Sequence, residues 1–340
     1  MKAGVLYGNE DIRFVDVETP KPGKGEVLVR VRMTGICGSD VPRVLYNGAH
    51  YYPIILGHEF SGEIAQIGED VEGFSIGDRV SGAPLLPCMK CIDCVKGNYS
   101  LCKHYSFIGS REPGSFAEYV KMPAHNAIKF ENNVSFEQGA LFEPATVSLH
   151  GIKCADYKGG KKVAVVGSGT IGLFAMQWAK IYGAESVTMF DISDGRLKIA
   201  ETLGADHTVN TLKEKCDEKY DFVFECAGQP ATTLMAFELA ANKASVCFIG
   251  TPHDNVTFTP RQWENMNRKE FRLTGSWMSY SSPFPGDEWT LTAHFFKTGD
   301  LKYHDSMIFR KFPMREIKNA FELFKDPKSI GGKIMLYNEF

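Results

Sequence analysis

No apolar run in this 340-residue chain approaches the ~18 residues that a membrane-spanning helix needs, so no membrane partner is expected. Nor is there a basic excess. Thirty-eight Lys and Arg stand against 41 Asp and Glu, a formal net charge of −3, which argues against a nucleic-acid partner. Internal repeats and low-complexity segments are missing. The nine cysteines are an odd number and cannot all pair within one chain. The opening Met1-Lys2-Ala3-Gly4-Val5 shows neither the apolar core of a signal peptide nor a transit pattern, and the expected setting is the cytoplasm.

Against that plain background, four cysteines stand out. Cys88, Cys91, Cys94 and Cys102 are spaced Cys-x2-Cys-x2-Cys-x7-Cys. So tight a run gathers four sulfurs around one ion at little loop-closure cost, and Zn²⁺ favours such four-coordinate thiolate cages in structural sites. The bacterial iron–sulfur run ends in a three-residue gap followed by Pro, whereas here the gap is seven and Lys103 follows. Disulfides are the plainer alternative, but cysteines two residues apart pair poorly.

The chain has two textures. In its first third, short β-rich runs alternate with Gly and Pro. Glu26 to Arg32 places Val27, Val29 and Val31 on one face with charges between them, the mark of a half-buried strand. Near residue 150 the pattern changes to Lys162–Val166, an apolar run of the buried-parallel kind. Predicted helices over Ile171–Tyr182, Gly195–Leu203 and Thr232–Ala241 then alternate with strands over Ser186–Asp191, Asp221–Glu225 and Ala244–Ile249. Such alternation predicts an α/β protein with a Rossmann doubly wound parallel sheet, beside an irregular β-domain. After about Trp277 the sequence reads as irregular, then helical over Met314–Lys325.

Gly167-Ser168-Gly169-Thr170-Ile171-Gly172 is G-x-G-x-x-G, following a strand and opening a helix, and Asp191 closes the next strand 22 positions after Gly169. Gly167 permits the turn, Gly169 lets backbone approach a pyrophosphate, and Gly172 lets helix pack on strand. Thr170 and Ile171 begin the helix whose free N–H groups would face the phosphates. Asp191 would accept from ribose hydroxyls and repel a 2′-phosphate, so NAD is the expected cofactor. Arg196 is either a ribose or phosphate contact or a solvated helix residue.

Hydride transfer from an alcohol also needs a base or Lewis acid, and further ligand types occur in the β-domain. They are Cys37 in Gly35-Ile36-Cys37-Gly38-Ser39-Asp40, His58 and Glu59 in Gly57-His58-Glu59-Phe60, and Glu143 in Phe142-Glu143-Pro144. Together with the cysteine quartet and the glycine fingerprint, these strings resemble the zinc-dependent medium-chain dehydrogenase/reductase family over essentially the whole chain. Within it they are similar to the polyol branch, where a Glu stands in the place of a second Cys. The strings Asn47–Pro53, Phe107–Arg111 and Gly275–Pro283 are similar to members acting on a polyol phosphate.

The resemblance implies a GroES-like catalytic domain over 1–149 and 277–340 and a Rossmann domain over 150–276. It implies two Zn²⁺ per subunit: a structural one on the quartet, and a catalytic one on Cys37, His58 and Glu143. Glu59 is a fourth ligand or a neighbour of the ligands. Ser39 would pass the substrate's proton outward; the relay His of related alcohol dehydrogenases, five residues after the ligand Cys, is Pro42 here. The implied reaction oxidises a secondary hydroxyl of a polyol phosphate of the galactitol 1-phosphate type, giving a product of the tagatose 6-phosphate type. Arg43, His50 and Arg111 are candidates for the phosphate, and Trp277 and Tyr280 for a pocket wall. The alternatives are a dehydrogenase of a free polyol (sorbitol, xylitol or arabitol) or of another sugar-alcohol phosphate, and a protein that binds NAD and zinc without catalysis. The family relation implies a homodimer or homotetramer.

Overall fold

Val27, Val29 and Val31 all point inward and are fully buried, which sets the strand Glu26–Gly35 at the centre of its sheet. The computed structural model of the chain describes residues 1–326 and 329–339. Glu26–Gly35 lies within a seven-stranded sheet whose order runs Ala127–Lys129, Arg79–Gly82, Glu59–Ile67, Glu26–Gly35, Lys333–Tyr337, Ile308–Pro313. Tyr119–Pro123 pairs with Glu26–Gly35 as well. The C-terminal strand thus returns to lie beside an N-terminal one. Its antiparallel register sets Met335 opposite Gly35, while Gly35 on its other side faces Glu59. Phe60, Ile64, Val80 and Val120 complete the apolar core around the three valines.

The other unit carries six strands, all parallel, in the order His207–Asn210, Ser186–Asp191, Lys162–Val166, Tyr220–Glu225, Ala240–Phe248, Arg272–Gly275. This is the doubly wound order, in which the crevice at the carboxyl ends of the strands beside Lys162–Val166 is the natural ligand site. Helices Thr170–Ile181, Asp194–Leu203 and Pro230–Leu239 agree with the expected segments to within two residues at each end.

Three elements depart from the expectation. His207–Asn210 is a strand with no apolar run to announce it. Pro260–Lys269 is a helix signalled by a capping box, with the Thr259 hydroxyl accepting from Gln262 N–H and the Gln262 side chain accepting from Thr259 N–H. Asp287–Thr298 is a helix where irregular chain was expected; its inward residues Trp289, Thr292 and Phe296 recur at helical spacing.

The units also divide differently from 149/150 and 276/277. One comprises Met1–Glu143, Tyr280–Thr298 and Ile308–Phe340, the other Pro144–Ser279 and Gly299–Met307. The helix Phe142–Cys154 passes from the first to the second at its own N-terminus, so no change of composition marks the boundary.

Candidate metal and cofactor sites

The cysteine lobe places all four sulfurs within 4.8 Å of one another. Cys88 and Cys94 Sγ are 4.0 Å apart, and Cys91 and Cys102 Sγ 3.9 Å. A tetrahedron with Zn–S bonds of ~2.3 Å has edges of ~3.8 Å, so the cage has the size of a four-thiolate zinc site and is far too open for disulfides. Backbone N–H groups of Cys88 and Cys91 donate to Cys102 and Cys88 sulfurs at 3.3 Å. Backbone donors, chiefly from Cys94, pull the Cys91 thiol down to about 6, while burial pushes Cys94 up to about 12. A metal ion would have to displace the remaining protons.

In the same unit, Cys37 follows the end of strand Glu26–Gly35 and His58 precedes the strand that begins at Glu59. The antiparallel pairing of Gly35 with Glu59 therefore brings two distant motifs together. Single ligand atoms of Cys37, His58 and Glu59 lie within 4.8 Å of one another. Glu143, at the start of the helix Phe142–Cys154, is outside that tight cluster but interacts electrostatically with Cys37, His58 and Glu59. Burial pushes the Glu143 carboxyl up to about 7. Burial, with the Glu59 charge next, drives the Cys37 thiol well above its ordinary value.

Two residues that sequence reasoning passed over complete this cluster. Asp40, fully buried, accepts the Cys37 N–H at 3.1 Å, and its other oxygen stands 3.6 Å from His58 Nδ1. Among the described residues neither of those last two atoms has a hydrogen-bond partner, and the Arg43 guanidinium stands 3.9 Å from the same Asp40 oxygen. With Nδ1 facing a carboxylate, Nε2 is the nitrogen left for a metal. Lys333 is the second. Its Nζ donates to both oxygens of Glu59, at 2.8 and 2.6 Å, and to the Ile36 carbonyl at 3.3 Å.

Burial works against the Lys333 charge, yet Glu59 and then Cys37 outweigh it and hold the ammonium above the usual lysine range. The space for this pair exists because residue 35 is glycine: a Cβ there would lie 2.3 Å from Glu59 Oε2. The only sequence signal for Lys333 was one charge at the head of the apolar strand Lys333–Tyr337.

Ser39 donates to Cys37 Sγ at 3.3 Å, and Arg43 folds back onto it, its guanidinium donating to Ser39 Oγ at 3.0 Å and to Ser39 O at 2.6 Å. His50 feels burial first and then both Arg111 and Arg43, all of which hold its imidazole below the ordinary value, so three basic groups share one neighbourhood. Arg111 lies over the Tyr105 ring at 4.7 Å, and Tyr51 donates to its carbonyl. Trp277 is half exposed, and Tyr280 is buried.

In the six-stranded unit, the Gly167–Gly172 turn lies at the switch point. Gly167 has φ +100°, and a Cβ on Gly172 would fall 1.8 Å from the Gly167 carbonyl. Among the described residues a Cβ on Gly169 would meet nothing within 4 Å, and the helix it starts has no side-chain cap. Its first N–H groups are therefore unspent, as an anion-binding end requires. Asp191 accepts from Ser168 N–H at 2.7 Å and Ser193 N–H at 2.9 Å. A cavity of about 580 Å³ runs past Gly167, Gly169, Asp191, Ile192, Arg196 and Thr232. Thr170 and Ile171 sit at the helix start without lining it.

Two family models match the chain. Residues 23–132 match the family model of the alcohol dehydrogenase GroES-like domain, and residues 170–293 that of the zinc-binding dehydrogenases. Galactitol 1-phosphate 5-dehydrogenase of Escherichia coli is 43% identical over 273 residues, 78% of this chain and 79% of the relative. L-threonine 3-dehydrogenase of Yersinia pestis is 31% identical over 347 residues, 97% of each.

Among solved structures, galactitol-1-phosphate dehydrogenase from Escherichia coli superposes with a TM-score of 0.94 at 37% identity, covering 99% of this chain and 100% of that one. A zinc-binding dehydrogenase from Sinorhizobium meliloti, bound to NADP, gives 0.87 at 28% identity, covering 99% and 98%.

Proposed function

The chain belongs to the zinc-dependent medium-chain dehydrogenase/reductase family, and from that premise we propose that it oxidises a secondary hydroxyl of a polyol phosphate, passing hydride to NAD. The observation that carries the reading is the Cys37–His58–Glu59 cluster, its His and Glu buried and its Cys half-buried, with Lys333 already paired to Glu59. The pairing of Lys333 with both Glu59 oxygens supports Cys37, His58 and Glu143 as the residues that would hold the metal ion, with Glu59 beside them as their neighbour. Zn²⁺ bound there supplies a Lewis acid that lowers the pKa of that hydroxyl, and NAD supplies the hydride acceptor.

The chain's own groups do the rest. Asp40 orients His58. Lys333 keeps Glu59 beside the ligands as a fixed charge. Ser39 accepts the released proton as it gives up its own hydroxyl proton, and since Arg43 cannot act as a base, that proton leaves to water or the cofactor ribose. The Asp191 carboxylate supports NAD over NADP, because a 2′-phosphate beside it would meet its charge. The quartet Cys88, Cys91, Cys94 and Cys102 would hold a second, structural Zn²⁺.

The phosphate is assigned to Arg43, His50 and Arg111, a concentration of positive charge with two guanidinium forks. The test is reduction of NAD and NADP across galactitol 1-phosphate, other polyol phosphates, galactitol, sorbitol, xylitol, arabitol and L-threonine. The expected result is turnover of a polyol phosphate with NAD; no reduction with any polyol or polyol phosphate would overturn the reading. Arg43→Ala and Arg111→Ala are each expected to raise the KM for the phosphorylated substrate about 10-fold or more, the loss of a charge-assisted contact, with little change for free polyols. Equal effects on both substrate types would remove the phosphate role.

Metal uptake is expected to depend on pH. Without a metal ion, burial holds the Glu143 proton until about pH 7, above its ordinary range. Binding must expel that proton and the Cys37 proton, so apparent affinity falls as pH drops through 7 and protons are released on uptake. The linked stability has the opposite sign. The unfolded chain gives up the Glu143 proton first, so the unmetallated protein loses stability as pH rises from about 4.5 to 7. Calorimetric metal titrations in buffers of differing ionisation enthalpy would check the first sign, and unfolding of the chelated protein between about pH 4.5 and 7 the second.

A further inference from the structure

We propose that the four-cysteine lobe acts on the catalytic centre through Tyr280, which it clamps against the Glu143 side of that centre. This rests on the two-metal reading above. Within 88–102 only Cys94, Ser100 and Cys102 are buried, while Met89, Ile92, Val95 and Leu101 lie open. A segment with so little apolar interior holds its shape through its metal.

What that shape grips is the strap from Tyr280 to Phe284. Ser100 belongs to the turn Tyr99–Leu101 that delivers Cys102. Its hydroxyl accepts the Tyr280 N–H at 3.2 Å and donates to the Tyr280 carbonyl at 3.4 Å. Leu85 N–H donates to the Tyr280 phenol at 2.9 Å. Tyr99 meets Phe284 edge-on at 5.2 Å, and Phe284 stacks on Tyr280 at 5.7 Å. Gly97 lies so close to Ser282 that a Cβ would come within 2.7 Å of its Cβ.

At its other end the strap reaches the helix that begins with Phe142 and Glu143. Ser279, adjoining Tyr280, accepts from the Thr146 hydroxyl at 2.9 Å, three residues after Glu143. The buried Tyr280 phenol lies near enough to Glu143 to feel its charge. A change of the lobe therefore moves Tyr280, whose phenol feels the Glu143 charge and whose neighbour Ser279 is bonded to the helix that carries Glu143. Tyr280 and Ser100 are positioning residues.

The test uses the full-length protein with both metal sites filled, and follows transfer of each metal to a chromophoric chelator. Ser100→Ala cuts the clamp without touching a cysteine, and Tyr280→Phe keeps the ring but removes the phenol. Both are expected to release the catalytic metal about 5-fold faster or more. The visible spectrum of Co²⁺ in the catalytic site should shift, with kcat lowered and the KM for NAD unchanged. Ile92→Ser, on the open face of the same lobe, should change none of these.

Catalytic-metal release and Co²⁺ spectra matching wild type in both variants would overturn the proposal, as would an equal effect from Ile92→Ser. Should Tyr280→Phe fold poorly, Ser100→Ala alone decides. A wild-type chain that binds fewer than two metals would instead count against the two-metal reading.

Discussion

His58→Ala is expected to lower kcat by about 10³–10⁴-fold, the several kcal/mol that a Lewis acid contributes to an alcohol oxidation. The imidazole sits between two requirements. One nitrogen faces the buried Asp40, and the cluster with Cys37 and Glu59 closes on the other side. Its loss leaves Cys37 and Glu143 as two ligands without geometry for a third, while the buried Asp40 oxygen keeps only the Arg43 guanidinium, 3.9 Å away.

Metal content should fall from two per chain to one, because the cysteine cage shares no residue with this cluster. NADH binding, followed by fluorescence, should be unchanged, since the glycine turn and Asp191 belong to the other unit. A variant within tenfold of wild-type turnover would refute the assignment of this cluster to catalysis. A variant that loses both metals would show that the two sites do not fill independently.

Lys333→Met should have the second-largest effect, read first in stability. Removing one member of a buried ion pair strands the other, at a typical cost of about 3–5 kcal/mol. Here Glu59 would be left buried beside Asp40 and Glu143 with no bonded cation. For a domain of this size the melting temperature of the chelated protein should fall on the order of 10 °C. Glu59→Gln in the same chain should recover most of the loss, because the stranded charge is then absent.

With metal present the same variant frees Glu59 to enter the open position, so kcat should fall while metal release slows. Melting curves of the single and double variants, with chelator and with Zn²⁺, separate the two effects. A melting point within about 1 °C of wild type in chelator would show that the pair contributes nothing to the fold.

Residues near one another in sequence were legible at once. The quartet spans only 88–102, and the Gly167–Gly172 turn and Asp191 belong to one β-α-β unit, so spacing alone carries most of their geometry. Apolar alternation placed Glu26 to Arg32 within the strand Glu26–Gly35, and continuous apolar runs placed most of the parallel strands. The strand His207–Asn210 escaped because it carries a single apolar residue, Val209, and pairs at the sheet edge, where neighbours rather than its own pattern hold it. The helix Asp287–Thr298 follows a Pro- and Gly-rich stretch that reads as loop.

The sequence by itself determined the candidate ligand types, the glycine turn at the head of a Rossmann helix, and the cysteine cage, because each is written in short spacings or in the chemistry of single residues. Tertiary structure decided what those groups meet. It set Lys333 on Glu59 across 274 positions, through a strand register and a glycine with no side chain to intrude. It turned Asp40 toward His58, folded Arg43 onto Ser39, and clamped the cysteine lobe to Tyr280. Such contacts depend on which strands pair and in which register, a property of the whole sheet that no local pattern encodes.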